Sequence, residues 1–238
     1  MTNCKVQRAI ILAAGLGSRM APVTDTMPKP LVPVHGKAIV ERLLDAVLAA
    51  GIEEIYLVRG YLGEQFEGLL PKYPMLRFIE NPDYQSANNI SSVVCAGELL
   101  GNAYLMEGDL LLRKPELMGA CQQESNYLAI PVDETDDWCF YPDEEGYIRK
   151  MAVGGKDCMQ MVGISYWTET DGKRLAERAR SLYYDRGKRD IFWDQIALEA
   201  YLPEFRVRVR TCGREDVIEI DTLEELKALD ASYGSPCK

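Results

Sequence analysis

The chain has 238 residues, 47% of them hydrophobic and 27% charged, the composition of an ordinary soluble globular protein with enough apolar material for a real core. Its net charge of −10 argues against nucleic acid as a partner, since such proteins carry the opposite sign or a basic stripe. No run of about 18 apolar residues could span a bilayer, and the amino terminus MTNCKVQR lacks the apolar centre of a signal segment, so the expectation is a cytoplasmic protein with no membrane insertion.

Arg8 to Leu12 reads as a buried strand, followed over 13–38 by a loop rich in proline. Ile39, Val40, Leu43, Leu44, Val47 and Leu48 recur at helical spacing, and Gly51 ends that helix. Ile55 to Val58 is a strand, Glu64 to Leu70 a short helix, Arg77 to Glu80 a strand, Ser91 to Leu100 a helix and Ala103 to Met106 a strand. Tyr127 to Val132 is the next strand. Trp138 to Pro142 and Tyr147 to Val153 flank Asp143-Glu144-Glu145-Gly146, a hairpin signal. Met161 to Trp167 is a strand, 171–185 and 191–201 are helices, and 205–211 and 217–220 are strands. Thr222 and Glu225 make a capping box for a last helix. Alternating strands and helices imply an α/β fold with a mixed, mostly parallel central sheet flanked by helices and a smaller hairpin region. No linker or repeat interrupts the chain, so 1–238 reads as a single domain. The basic run Arg206-Val207-Arg208-Val209-Arg210 alternates like the wet face of a strand. Seven cysteines, at 4, 95, 121, 139, 158, 212 and 237, lack metal-site spacing and read as reduced thiols.

Chemistry concentrates where strands end, because ligands of open α/β sheets bind beyond the carboxyl ends of the strands. After the first strand, Leu12-Ala13-Ala14-Gly15-Leu16-Gly17-Ser18-Arg19 supplies glycines that let the backbone come close to an anion, and a fixed cation beside them. Lys29, held between Pro28 and Pro30, adds a second cation on a stiffened loop, suited to charge that builds on a phosphate under attack. The loop is neither a Walker A motif nor G-x-G-x-x-G. Asp109 follows a strand and is a candidate metal carboxylate, or else a turn aspartate. Asp221 ends Val217-Ile218-Glu219-Ile220 and could reach the same edge, or else cap the last helix; Glu219 lies on the same strand face. His35 reads as a turn residue.

The segment AIILAAGLGSRMAPVTDTMPKPLVPVHGKAIVERLL resembles the amino-terminal signature of the nucleotidylyltransferases with a Rossmann-like, glycosyltransferase-A-like fold. RGYLGEQF, DYQSANNISS, LMEGDLLL, DDWCFYP, MVGISYW, IFWDQIALE and VIEIDTLEEL, in order, resemble the bacterial CTP:phosphocholine cytidylyltransferases. The resemblance implies transfer of CMP from CTP to a phosphorylated acceptor with release of pyrophosphate, and Mg²⁺ as cofactor. It places Gly15, Gly17 and Arg19 around the triphosphate, Lys29 at the transition state, and Asp109 and Asp221 on the metal, with Glu219 assisting. Asn88-Asn89 stands where sugar nucleotidylyltransferases have Gly-Thr. These amides could read the base or a phosphate, or form an Asn-rich turn into the helix.

All three tryptophans fall in the second half of the chain. A quaternary ammonium is recognised by aromatic faces and nearby carboxylates, so Trp138, Tyr141, Phe192, Trp193 and Asp194 are candidate acceptor residues, with Trp167 better explained as core. Phosphocholine is the leading acceptor. Phosphoethanolamine and 2-aminoethylphosphonate, whose ammonium groups want carboxylates more than rings, are the nearest rivals. A sugar-1-phosphate nucleotidylyltransferase and a catalytically silent nucleotide-binding regulatory module are more distant alternatives, and a homodimer is left open.

Overall fold

A computed structural model describes residues 5–234, so Cys4 and Cys237 lie outside the described residues. In chain order the elements are β1 (Arg8–Ala13), β2 (Pro33–Val34), β3 (Lys37–Ala38), α1 (Ile39–Ala49), β4 (Glu54–Arg59), β5 (Leu76–Glu80) and α2 (Ile90–Ala96). There follow β6 (Ala103–Glu107), β7 (Leu110–Leu112), β8 (Asn126–Pro142), β9 (Ile148–Trp167), α3 (Glu169–Arg180), β10 (Arg208–Thr211), β11 (Val217–Glu219) and α4 (Leu223–Leu229).

Seven strands form one sheet in the order β10-β8-β9-β6-β1-β4-β5. β1 is parallel to both β4 and β6, whereas β9 runs antiparallel to β6 and to β8. β1 is covered on both faces, which is why it reads as an unbroken apolar run. Ala9, Ile11 and Ala13 point into the core shared with α1 (Leu43, Leu44, Val47), while Ile10 and Leu12 meet Val93 of α2 and Leu175 of α3 on the other face. The expected mixed α/β sheet is therefore present. No helix among the described residues is long and apolar enough to cross a membrane.

Several expected elements change extent. The four short strands expected over 127–167 are two long ones, β8 and β9, whose register shifts between Thr135 and Trp138. The exposed acidic run there hides their continuity, because it carries no alternation. The hairpin turn itself falls as expected, with Gly146 at φ 86°. The helix expected over 64–70 is a 3₁₀ segment, Gly63–Leu69. That over 171–185 ends as α3 at Arg180 and widens into a π turn, Ser181–Asp185. The helix expected over 191–201 is helical only from Asp194, with Ile196–Ala200 a π turn, which leaves 191–193 as loop. The strand expected over 205–211 shortens to β10. β11 leaves the main sheet and pairs antiparallel with β7, a strand the sequence does not announce. A third apolar cluster (Met20, Val32, Ile39, Leu111, Ile220, Leu226) then fastens the amino-terminal loop to α4. His35 is a turn residue, at φ 50° beside Gly36 at φ 76°.

Candidate active site

The loop after β1 walls a cleft of about 340 Å³ at the carboxyl edge of the sheet. Leu12, Ala13, Ala14 and Gly15 line one side, and Gly17, Arg19 and Lys29 continue it. Gly17 sits at φ 63°, and a Cβ there would stand 2.9 Å from the Lys29 Cβ, so both backbone hand and space demand glycine. The Thr24 hydroxyl donates to the Gly17 carbonyl at 2.8 Å and pins the turn. Among the described residues the amides of Gly15, Leu16 and Gly17 donate to no backbone carbonyl. A cleft of this kind offers successive N–H groups to an anion.

Below the loop, Lys29 Nζ donates to Asp109 Oδ2 at 2.6 Å and to Asp221 Oδ1 at 2.7 Å, and Arg19 Nη2 reaches the same Asp221 oxygen at 2.8 Å. Topology makes this meeting possible. Asp109 lies between β6 and β7, Asp221 follows β11, and the β7–β11 ribbon pairs Leu110 with Glu219. Gly108 lets β6 crowd β1: its amide donates to Leu12 O at 2.8 Å, and a Cβ would stand 2.8 Å from that oxygen. Thr222, not Asp221, caps α4, its hydroxyl accepting from Glu225 N while Glu225 reaches back to the Thr222 amide. The Asp221 side chain is thereby left to the cleft.

Asp109, Glu219 and Asp221 each present a carboxylate oxygen within 4.8 Å of the others, and Asp109 Oδ1 is buried with no hydrogen-bond partner. An orphaned carboxylate oxygen among three acidic groups fits a hard divalent cation such as Mg²⁺. Burial would lower the Lys29 ammonium, but Asp109 and Asp221 outweigh it and raise its pKa. Glu219 keeps part of its side chain open to solvent. Even so, its surroundings and then the Asp109 and Asp221 charges push it up to about 8, against the pull of Lys29.

A second chamber of about 200 Å³ opens on the other side of this cluster. Trp138, half-buried, and Phe192, 41% exposed, meet edge to face with centroids 5.9 Å apart. Asp194 lies in the chamber wall and accepts from the Tyr127 hydroxyl at 2.6 Å. Burial pushes its carboxyl up to about 7, against the Tyr127 hydrogen bond that favours the charged form. Asp137, Met151, Met161 and Gln195 also face the chamber.

Two expected acceptor residues stand elsewhere. Trp193 is fully buried, stacked on Tyr127 (5.9 Å, 12°), so it supports the chamber from behind and offers no face to a ligand. Tyr141 does not line the chamber: its hydroxyl abuts Gly155, and the Lys150 ammonium lies 5.1 Å from its ring. Trp167 is core, as expected. Asn88 and Asn89 line the first cleft, yet their amides turn toward neighbouring protein: Asn88 Nδ2 donates to Asp190 O at 3.2 Å, and Asn89 bonds Trp193 and Glu107. Glu107 lines both clefts and goes unnoticed in the sequence, although a carboxylate closing the apolar strand AYLME, one residue before Gly108, was a usable signal.

Comparison with known proteins fixes what this edge belongs to. Residues 9–195 match the MobA-like NTP transferase domain. The chain belongs to that family. It is a nucleotidyltransferase, with cytidylyltransferases among its near-full-length relatives. It is 37% identical to a 2-aminoethylphosphonate cytidylyltransferase of Lancefieldella rimae over 98% of its own length and 95% of that protein's. It is 28% identical to a choline-phosphate cytidylyltransferase of Streptococcus pneumoniae, over 94% of this chain and 96% of the other. The solved CTP:phosphocholine cytidylyltransferase of Streptococcus pneumoniae superposes with a TM-score of 0.88 at 29% identity, covering 96% of this chain and 99% of that one. The expected nucleotidylyltransferase fold is thus borne out.

Proposed function

We propose that this nucleotidyltransferase moves CMP from CTP to 2-aminoethylphosphonate, releasing pyrophosphate. One observation carries the choice of acceptor. The chamber beside the Lys29–Asp109–Asp221 cluster places two carboxylates, Asp137 and Asp194, together with the Gln195 amide, around a space small enough for a short zwitterion. A primary ammonium has N–H groups to give such acceptors. The 37% identity to a protein named for this activity supports the same reading. Phosphocholine is the second reading, favoured by the edge-to-face Trp138–Phe192 pair and the Met151 and Met161 thioethers, which suit a cation without N–H groups.

In this reading the amides of the 15–17 turn and Arg19 hold the β- and γ-phosphates, and the acceptor's phosphonate oxygen lies in line with the α-phosphorus. Lys29, freed from its carboxylates by ligand binding, sits where equatorial oxygens gain charge. Asp109 and Asp221, with Glu219 beside them, would hold Mg²⁺, which supplies charge neutralisation on the phosphates. No covalent enzyme intermediate is needed, since this chemistry rests on positioning and electrostatics. The buried free thiols Cys139 and Cys158 support a reducing, cytoplasmic setting.

The test is pyrophosphate release with Mg²⁺, each common NTP, and a panel of 2-aminoethylphosphonate, phosphoethanolamine, phosphocholine and hexose 1-phosphates. Turnover is expected with CTP and 2-aminoethylphosphonate. Turnover confined to phosphocholine would transfer the proposal to the second reading, and turnover with a sugar phosphate alone would end both.

A further inference from the structure

The reaction as proposed gives Glu107 no task, yet it is the one acidic side chain shared by the two clefts that lies outside the metal cluster. Its Oε1 accepts from the Trp193 indole Nε1 at 2.7 Å and from Asn89 Nδ2 at 3.2 Å. Asn89 Oδ1 in turn accepts from the backbone amide of Trp193 at 2.9 Å. Each of the three residues therefore bonds the other two. Asn88 extends the attachment: its amide donates to Arg189 O at 2.7 Å and its Nδ2 to Asp190 O at 3.2 Å. The chain from 189 to 193 has no regular structure to hold its shape, and it carries Phe192 on one side of Trp193 and Asp194 on the other.

We infer that Glu107 is a positioning residue: by gripping Trp193 from the nucleotide side it sets Phe192 and Asp194 in the acceptor chamber. A carboxylate placed to serve the metal would turn toward Asp109, but Glu107 spends an oxygen on two N–H donors of the protein. Removing that acceptor takes from the indole N–H and the Asn89 amide the partner that ties this loop to β6, and loosens the loop's attachment there. Movement of Trp193 displaces its two neighbours, whereas the 15–17 turn, Arg19 and Lys29 hang on β1 and its following loop and stay put. The same geometry accounts for Asn88-Asn89 as the other half of the anchor, which leaves base reading to other groups.

The kinetic consequence rests on the cytidylyltransferase reading, so the experiment has two independent readouts. In steady-state assays Glu107→Ala is expected to raise the KM of the acceptor about tenfold or more while the CTP KM stays within about threefold. Glu107→Gln, whose amide oxygen can accept the same two bonds, is expected to restore most of the acceptor KM. In ¹⁵N-labelled protein the indole proton of Trp193, assigned by its loss in Trp193→Phe, is expected to shift and exchange faster in Glu107→Ala. If Glu107→Ala does not fold, Asn89→Ala removes the amide bridge, keeps the indole bond, and is expected to show the same kinetic split. Equal increases in both KM values, a Gln variant as impaired as the Ala variant, or an indole proton indifferent to Glu107 would each overturn the inference. Absence of turnover in the native protein with every acceptor would sink the functional reading alone, and the indole signal would still decide the anchor.

Discussion

Replacing Asp194 by Asn separates the two things its burial does. The carboxyl rises from 3.8 to about 7 because it is enclosed in the chamber wall, and the Tyr127 hydroxyl and a backbone hydrogen bond offset that enclosure only in part. A gap of that size corresponds to about 4 kcal/mol between the two protonation states. The sign follows from proton counting: between pH 4 and 7 the folded chain holds a proton that the unfolded chain has lost, so stability falls as pH rises through this window and levels off above about 7. Asp194→Asn carries no such cost, and its amide oxygen can still accept from Tyr127. Urea denaturation of both proteins at pH 5 and pH 8 is the assay. The variant is expected to be more stable at pH 8, by at most about 4 kcal/mol, and to lack the corresponding part of the slope. The same substitution is expected to raise the acceptor KM about tenfold or more, because an ammonium loses its carboxylate. In the native enzyme that KM should fall as pH rises through about 7. Identical pH–stability curves for the two proteins would refute the reasoning, since Asp194 could then not be carrying the proton.

Lys29→Met is expected to cut kcat by about 10²–10³ with little change in either KM, as measured by pyrophosphate release. Asp109→Ala should abolish turnover at any Mg²⁺ concentration, and EDTA should silence the native enzyme until Mg²⁺ is restored. Trp138→Ala is expected to raise the acceptor KM by about 2- to 30-fold, the worth of about 0.5–2 kcal/mol of cation–π contact, with CTP kinetics unaltered. Gly17→Ala forces a side chain into the left-handed region 2.9 Å from the Lys29 Cβ, so it should cost about 1–2 kcal/mol in a thermal melt and lower kcat by displacing the ammonium.

What could be read from the sequence was whatever one segment decides alone. β1 and β4 follow from short apolar runs and α1 from periodicity, and the Gly17 turn, Lys29 and the Thr222–Glu225 cap follow from local rules. Features that need two distant segments were hidden. β7 is three residues long and becomes a strand only because β11 lies across it. Whether Asp221 caps a helix or faces a ligand depends on which neighbour takes the cap, and Thr222 takes it. Trp193 and Tyr141 carry the right side chains for a cation cage, but only packing shows one sealed behind Tyr127 and the other turned toward Gly155. Asn88-Asn89 resembles a ligand-reading pair for the same reason: the loop it fastens lies about a hundred residues away, a separation on which local propensity is silent.

The β7–β11 ribbon gives the molecule a completion check. Lys29 comes from ahead of α1, whereas Asp221 comes from just ahead of α4 and beyond residue 195, where the matched family region stops. A chain clipped after β10 keeps all seven strands of the main sheet and the whole phosphate turn, yet holds one aspartate where the chemistry asks for two. In the proposed reaction such a fragment is expected to bind a triphosphate without turning it over. Under the proposed reaction, competence depends on the segment that carries Asp221, and a copy trimmed ahead of it is expected to release no pyrophosphate.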